Sequence, residues 1–289
     1  MIGLPGRWLV VPLALLSLCG CLSSHSQQFI GGELQGELHW SGEVRLAGDV
    51  VVAESARLTI APGTRIRFLP AIADGLVDHP NFPGSELIVR GEIVAIGRPD
   101  APIVFESIDP HAGPGSWGAV NLEGSPNALF AYCLFRQADS AVHSRDSTVV
   151  VRQSLLEHNL VGLRFNNSDI RIEQNLLRNN HAAIRFHFGA PKIEQNLFTD
   201  NHVNLFFTSF PRDYLIRANR FGPASKYQVV LGEEVPDDVQ LADNFWDADV
   251  QRQPEELFYD GRRSSYLGRV RTEPVLTAPP VNSGLTWTP

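Results

Sequence analysis

The stretch 139–201 reads DSAVHSRDSTVVVRQSLLEHN (139–159), LVGLRFNNSDIRIEQNLLRNN (160–180) and HAAIRFHFGAPKIEQNLFTDN (181–201). The three lines align without a gap at a period of 21 residues, and IEQNL recurs unchanged at 172–176 and 193–197. Apolar residues alternate within each line, as in Val149 and Val151, Leu163 and Phe165, and Ile170 and Ile172. Alternation marks strands rather than helices. Short strands at a fixed period imply coils. Each coil returns the chain to its starting point one strand spacing further on, about 4.8 Å.

Equivalent residues then stack. One column holds Cys133, Ser154, Asn175 and Asn196, and continues at wider steps to Asn219 and Asn244. A second holds Asn159, Asn180 and Asn201, a third Phe165, Phe186 and Phe207, and a fourth Val142, Leu163, Ile184 and Leu205. The phenylalanine and aliphatic columns are expected to fill a continuous core. The asparagines are expected at bends, bonded to the backbone of the adjacent coil. By its column, Cys133 is a buried bend residue rather than a nucleophile.

Upstream the coils are longer. LTIAPGTRIRF (58–68), ELIVRGEIVAIG (86–97), PIVFES (102–107) and SWGAVNLEG (116–124) are interrupted by loops at Pro70–Gly84 and Asp109–Gly115. Together with DNFW (243–246), these motifs resemble the pectin-lyase-like right-handed β-helix superfamily and, more narrowly, exported bacterial β-helix-repeat proteins. The resemblance covers roughly 42–275. It implies an all-β fold, a single-stranded right-handed parallel β-helix (a solenoid) with coils of about 21 residues. It implies core positions for Trp117 and Trp246. It implies no single activity, because that superfamily spans lyases, hydrolases, epimerases, adhesins and proteins of no known activity.

The N-terminus reads differently. Arg7 precedes an apolar run, Trp8–Leu18, too short to span a bilayer as a helix. It ends in Leu18-Cys19-Gly20-Cys21, which resembles a bacterial lipobox with Cys21 as the acylated residue, since Gly20 supplies the small residue before it. Leu22 is not the aspartate that retains enterobacterial lipoproteins at the inner membrane, so the resemblance favours the outer membrane. The expected organisation is a signal peptide at 1–20, a lipid-anchored tether at 21–40, the β-helix at 41–250, and a C-terminal cap with a Pro-rich tail at 251–289. Gly42–Val52 is expected to form the first, capping coil.

A net charge of −8 excludes the basic footprint of a nucleic-acid binder. Against that background the outward positions of the phenylalanine-bearing strand are unusual. One column is Asn121, His143, Arg164, Arg185 and Phe206, and its neighbour is Glu123, Arg145, Asn166, His187 and Thr208. His143, Arg145, Arg164, Arg185, His187 and Phe206 thus form a candidate ligand-binding patch. Arginine offers bidentate contacts to carboxylated or phosphorylated glycans, and Phe206 a surface for a sugar ring. Calcium-dependent lyase chemistry needs clustered carboxylates, and this patch supplies Glu123 alone. Hydrolysis needs a carboxylate pair, and the two columns of this patch hold none on adjacent coils. A His–Arg lyase or epimerase with His143 or His187 as base stays open, as does metal handling by His181 and His202, one period apart, with His158 and Asp200. The expectation is a monomeric, non-catalytic envelope protein with no cofactor and no metal. It would be anchored to a membrane through lipid on Cys21 and would bind an acidic polysaccharide or an envelope protein. A polysaccharide lyase or epimerase, and a structural scaffold, are the alternatives.

Overall fold

The computed structural model describes residues 29–70 and 81–289. The signal peptide, Cys21 and the first part of the expected tether lie outside the described residues, as does most of the Pro70–Gly84 loop. The rest is an all-β, right-handed parallel solenoid of about nine turns, with coils about 22 residues apart. Each coil contributes three short strands. One face is an eight-stranded sheet that includes Ala128–Ala131, Thr148–Arg152, Asp169–Glu173 and Lys192–Glu194. An eighteen-stranded sheet forms the other two faces, its arms joined through the long strand Glu43–Val52. One arm carries Cys133–Arg136, Leu155–Glu157, Leu176–Arg178 and Leu197–Thr199. The other carries Ala138–Arg145, Val161–Asn166, Ala182–Phe186 and Asn201–Ser209.

The registers follow the sequence columns. Val142 pairs with Leu163, Leu163 with Ile184 and Ile184 with Leu205. Phe165 stacks on Phe186 at 4.9 Å and Phe186 meets Phe207 at 4.5 Å. A second aromatic stack lines the other arm, with Phe105 on Phe135 at 4.6 Å, Phe198 on Phe221 at 4.8 Å, and Phe221 on Trp246 at 4.2 Å. Trp117, Trp246 and Cys133 are buried in this core, and burial pushes the Cys133 thiol above its ordinary range.

The asparagine columns turn the chain. Asn175 Oδ1 accepts the N–H of Ser154 at 2.9 Å, while its Nδ2 donates to Val151 O at 2.8 Å and Asn196 Oδ1 at 3.0 Å. Asn159, Asn180 and Asn201 repeat this at the next bend. The left-handed backbone falls one residue earlier, at Gln153, Gln174 and Gln195 in the first column and His158, Asn179 and Asp200 in the second. The asparagine therefore ties the bend to its neighbour, and the residue before it makes the turn. A serine ladder holds the third bend, where Ser147 Oγ accepts from Ser125 N and Ser168 Oγ from Ser147 N.

The N-terminal end differs from the sequence expectation. Residues 29–40, placed in the tether, are strands. Phe29–Leu34 pairs with Glu43–Val52 and Glu37–Trp40 with Arg57–Ile60, so the solenoid begins ahead of Gly42. The reason is burial: Leu38, Ile30 and Leu34 pack against the core, and Trp40 lies within it. The Pro-rich tail does not trail away. It runs back along the bend of Asn244, Asn219 and Asn196, with Leu276 N bonded to Asn244 O and Gly284 N to Gln195 O. At Gln153 it latches: Thr286 N donates to Gln153 Oε1 at 2.9 Å and Trp287 Nε1 to Gln153 O at 2.9 Å. Gly284 lies so close to the outward-facing Leu197 that a Cβ there would meet Leu197 Cβ at 3.0 Å. Leu155, also outward-facing in the same column, is 1% exposed.

Candidate functional site

The six patch residues meet as expected. Asn121 pairs with His143, His143 with Arg164, Arg164 with Arg185, and Arg185 with Phe206, in five consecutive coils of one face. Alternation turns these side chains outward while Val142, Leu163 and Ile184 turn in. Arg145 lies two residues beyond His143 on its strand and is exposed, and His187 lies just past the end of the strand that carries Arg185. Neither Arg145, Arg164 nor Arg185 has a carboxylate within ion-pair distance among the described residues. Elsewhere arginines commonly have one, as with Arg178 and Glu157 at 2.8 Å and Arg217 and Glu194 at 2.8 Å. Glu123, the one acid in the patch, is taken by Arg90 at 3.1 Å.

The face divides into two halves. Upstream, Phe82 from the loop before Leu87 covers His143 edge-on at 5.1 Å, and the Arg164 guanidinium lies 5.8 Å from the same ring. Beneath it is a buried carboxyl that sequence reasoning did not find. Glu86 Oε1 accepts the N–H of Phe82 at 2.9 Å and Oε2 accepts from Asn121 Nδ2 at 3.0 Å. Asn121 Oδ1 meets His143 Nδ1 at 2.7 Å. Burial raises Glu86 to about 7, against the two hydrogen bonds it accepts and with Asp49 and Glu123 adding repulsion. Burial, then the charges of Arg164, Arg145 and His187, lowers His143 to about 4, so its ring is neutral at neutral pH. Glu86 is absent from the outward columns because Ile88 holds the place opposite Asn121; Glu86, two residues earlier, reaches Asn121 diagonally, over Gly118. A Cβ at Gly118 would meet Glu86 Cγ at 2.5 Å, so only glycine leaves room for the carboxyl.

Downstream the face opens into a groove of about 370 Å³, lined by Arg185, Phe206, Lys226, Tyr227, Tyr259 and the stacked pair His181 and His202, among others. Arg185 lies 4.9 Å from the Phe206 ring and donates from Nε to Thr208 Oγ1 at 3.3 Å. Burial and then Arg164 lower its pKa, a sign of cations crowded together without acids. His187 is lowered by burial and by Arg185 and Arg164, while Glu234 acts to raise it. Lys226 and Arg263 approach Tyr227 at 5.7 and 5.6 Å. Lys226, Tyr227 and Tyr259 were not legible as site residues, because irregular pairing after Asn201 and after Phe207 breaks the 21-residue count.

His181 and His202 stack at 4.7 Å, as the period predicts. Among the described residues no group of three His, Cys, Asp or Glu converges on a point where a metal ion would sit. A larger concavity, about 540 Å³, lies at the bend of Asn167, Phe188 and Arg212 and gathers none of the patch residues. No family model, curated protein or solved structure matches the chain. The site must therefore be read from its own chemistry: aligned guanidinium groups with no carboxylate partner among the described residues, beside partly exposed aromatic rings.

Proposed function

We propose that this chain is a non-catalytic β-helix of a bacterial cell envelope, held to the membrane by lipid on Cys21, and that its arginine-bearing face binds an acidic glycan. The observation that carries the binding reading is the alignment of Arg164 and Arg185 in consecutive coils, with Arg145 beside them and no carboxylate partner among the described residues, on a protein of net charge −8. Unpaired arginines about one strand spacing (~4.8 Å) apart suit a linear chain of carboxylates. Phe206, Tyr227 and Tyr259 offer flat apolar surfaces beside them for sugar rings. The test is binding of uronate-containing polymers. The wild type is expected to bind, and the Arg164→Ala/Arg185→Ala double variant to lose binding while its stability changes by less than about 0.5 kcal/mol. Equal binding by the two proteins refutes the reading. For the anchor, Cys21→Ser is expected to release the protein from membranes, and continued attachment refutes it.

A lyase or epimerase on the same face is favoured by one observation: a neutral His143 between two arginines. Its signature is unsaturated uronate absorbance, or an inverted C5 centre, after incubation with the polymer.

A further inference from the structure

Asn121 is buried between two polar groups, and they leave its amide one orientation. Once ionised, above its raised pKa of about 7, the Glu86 carboxylate accepts and does not donate, so it requires the NH2 of Asn121 to face it. The carbonyl of Asn121 then faces His143. A carbonyl requires a donor, so the proton of the neutral imidazole sits on Nδ1 and Nε2 carries a lone pair. Nε2 has no hydrogen-bond partner among the described residues. A buried acid two side chains away thus dictates what His143 offers to a ligand. One coil further, Arg164 stands directly opposite in register.

Building on the acidic-glycan reading, we infer that this relay sets the ligand class: the coil of His143 takes a hydroxyl hydrogen, and the following coils take carboxylate oxygens on Arg164 and Arg185. The ligand is a polyhydroxylated acid of the polyuronate type, not a polyanion whose exposed atoms are all acceptors. A lone pair against an anionic oxygen leaves both without a hydrogen and both desolvated, which discriminates by mismatch rather than by attraction. Glu86 and Asn121 are positioning residues; His143 makes the contact.

Glu86→Gln reverses the relay without changing its shape. The glutamine carbonyl must still accept from Phe82 N–H, so its NH2 faces Asn121. The amide of Asn121 turns over, and His143 carries its proton on Nε2 instead. At about pH 8.5 the Glu86 carboxyl, at about 7, is ionised in the wild type. Nitrogen-15 NMR is expected to place the proton on Nδ1 in the wild type and on Nε2 in Glu86→Gln. The wild type is expected to bind oligogalacturonate about tenfold more tightly than inorganic polyphosphate of equal charge, a gap of about one hydrogen bond, and Glu86→Gln to close it. A wild-type ring protonated on Nε2, or polyphosphate bound as tightly as oligogalacturonate, overturns the hydroxyl requirement and leaves the acidic-ligand reading standing. Binding of neither polymer overturns both. Should Glu86→Gln fold poorly, His143→Phe keeps a ring against Phe82 and removes the acceptor. It is expected to relieve the mismatch and narrow the roughly tenfold gap, chiefly by tightening polyphosphate, and an unaltered gap overturns the inference.

Discussion

In the coils from Cys133 to Asn201 the bends are tied by the same two asparagine columns at a constant step, and Ala128 pairs with Val149, 21 residues on. In the coils before them Leu58 pairs with Ile93 and Ile93 with Ala128, each 35 residues on. There the bends rest on backbone turns and on Thr64 bonded to Ala61 O, and the buried Glu106 ties neighbouring strands through Arg65 and Arg136. Burial works to raise Glu106, but Arg136 and Arg65 hold its carboxyl below the usual range. The cross-section is shared and the means are not. Regular coils leave every outward position in line, which aligns Arg164 and Arg185. Irregular coils carry excursions, and one of these brings Phe82 and Glu86 onto that line. The regular half supplies the repeat of the site, and the irregular half its distinguishing chemistry.

The sharpest way to break this contrast is Asn175→Ala. It strips the acceptor for Ser154 N and both donors of Nδ2 from a dry bend. The expected loss is about 4 kcal/mol in urea unfolding, the range for breaking a buried polar network. Ser125→Ala in the irregular half, whose hydroxyl donates only to Gly91 O, is expected to cost about 1 kcal/mol. Equal losses would show that the ladders are incidental.

Glu86→Gln probes the other half through pH. A carboxyl raised from 4.5 to about 7 favours the protonated fold, so its contribution is full below pH 4.5 and is lost as pH rises to about 7. Glutamine has no such loss, so the variant is expected to exceed the wild type by about 3 kcal/mol at pH 8 and to match it at pH 4. His143, lowered from 6.5 to about 4, runs oppositely: its contribution is lost as pH falls through that window. The two offset each other in the wild type between about pH 4.5 and 6.5. The variant, with only His143 left, is expected to show a clear acid decline there. Thermal melts across pH check both slopes.

Deleting residues 277–289 is expected to cost about 2 kcal/mol by breaking the bonds to Gln153 and opening Leu197 to water. The smallest effect is expected at Ser144, whose buried hydroxyl has no partner in the column of Phe165 and Phe186. Ser144→Ala should be neutral or stabilising, by up to about 1 kcal/mol.

The fold was legible because a ladder shows itself in sequence: Asn175 and Asn196, or Phe165 and Phe186, repeat in type as well as in spacing. The arginine column was legible for the same reason. Glu86 and Phe82 were not, since their place depends on how a loop of unequal length settles, and only the glycine at 118 records the close approach. Tyr227 and Tyr259 were hidden by irregular pairing that shifts the count. The path of the Pro-rich tail was not legible either: Thr286 and Trp287 hold it to Gln153 and Gly284 fits against Leu197, contacts that no repeat announces.

That latch joins residues 133 and 134 positions apart in a molecule whose other bonds run mostly between adjacent turns. Stacks of that second kind behave as one-dimensional chains: each unit feels its neighbours, and fraying can begin anywhere. A cross-tie from one end to the middle turns part of the row into a loop, so the turns between Gln153 and Asn244 can open only if the tie opens too. It also sets an order in time. Coils can stack as they leave the ribosome, but the tie closes only once residues 284–287 have been made, and a chain stopped before them displays the Leu197 surface that the longer chain covers.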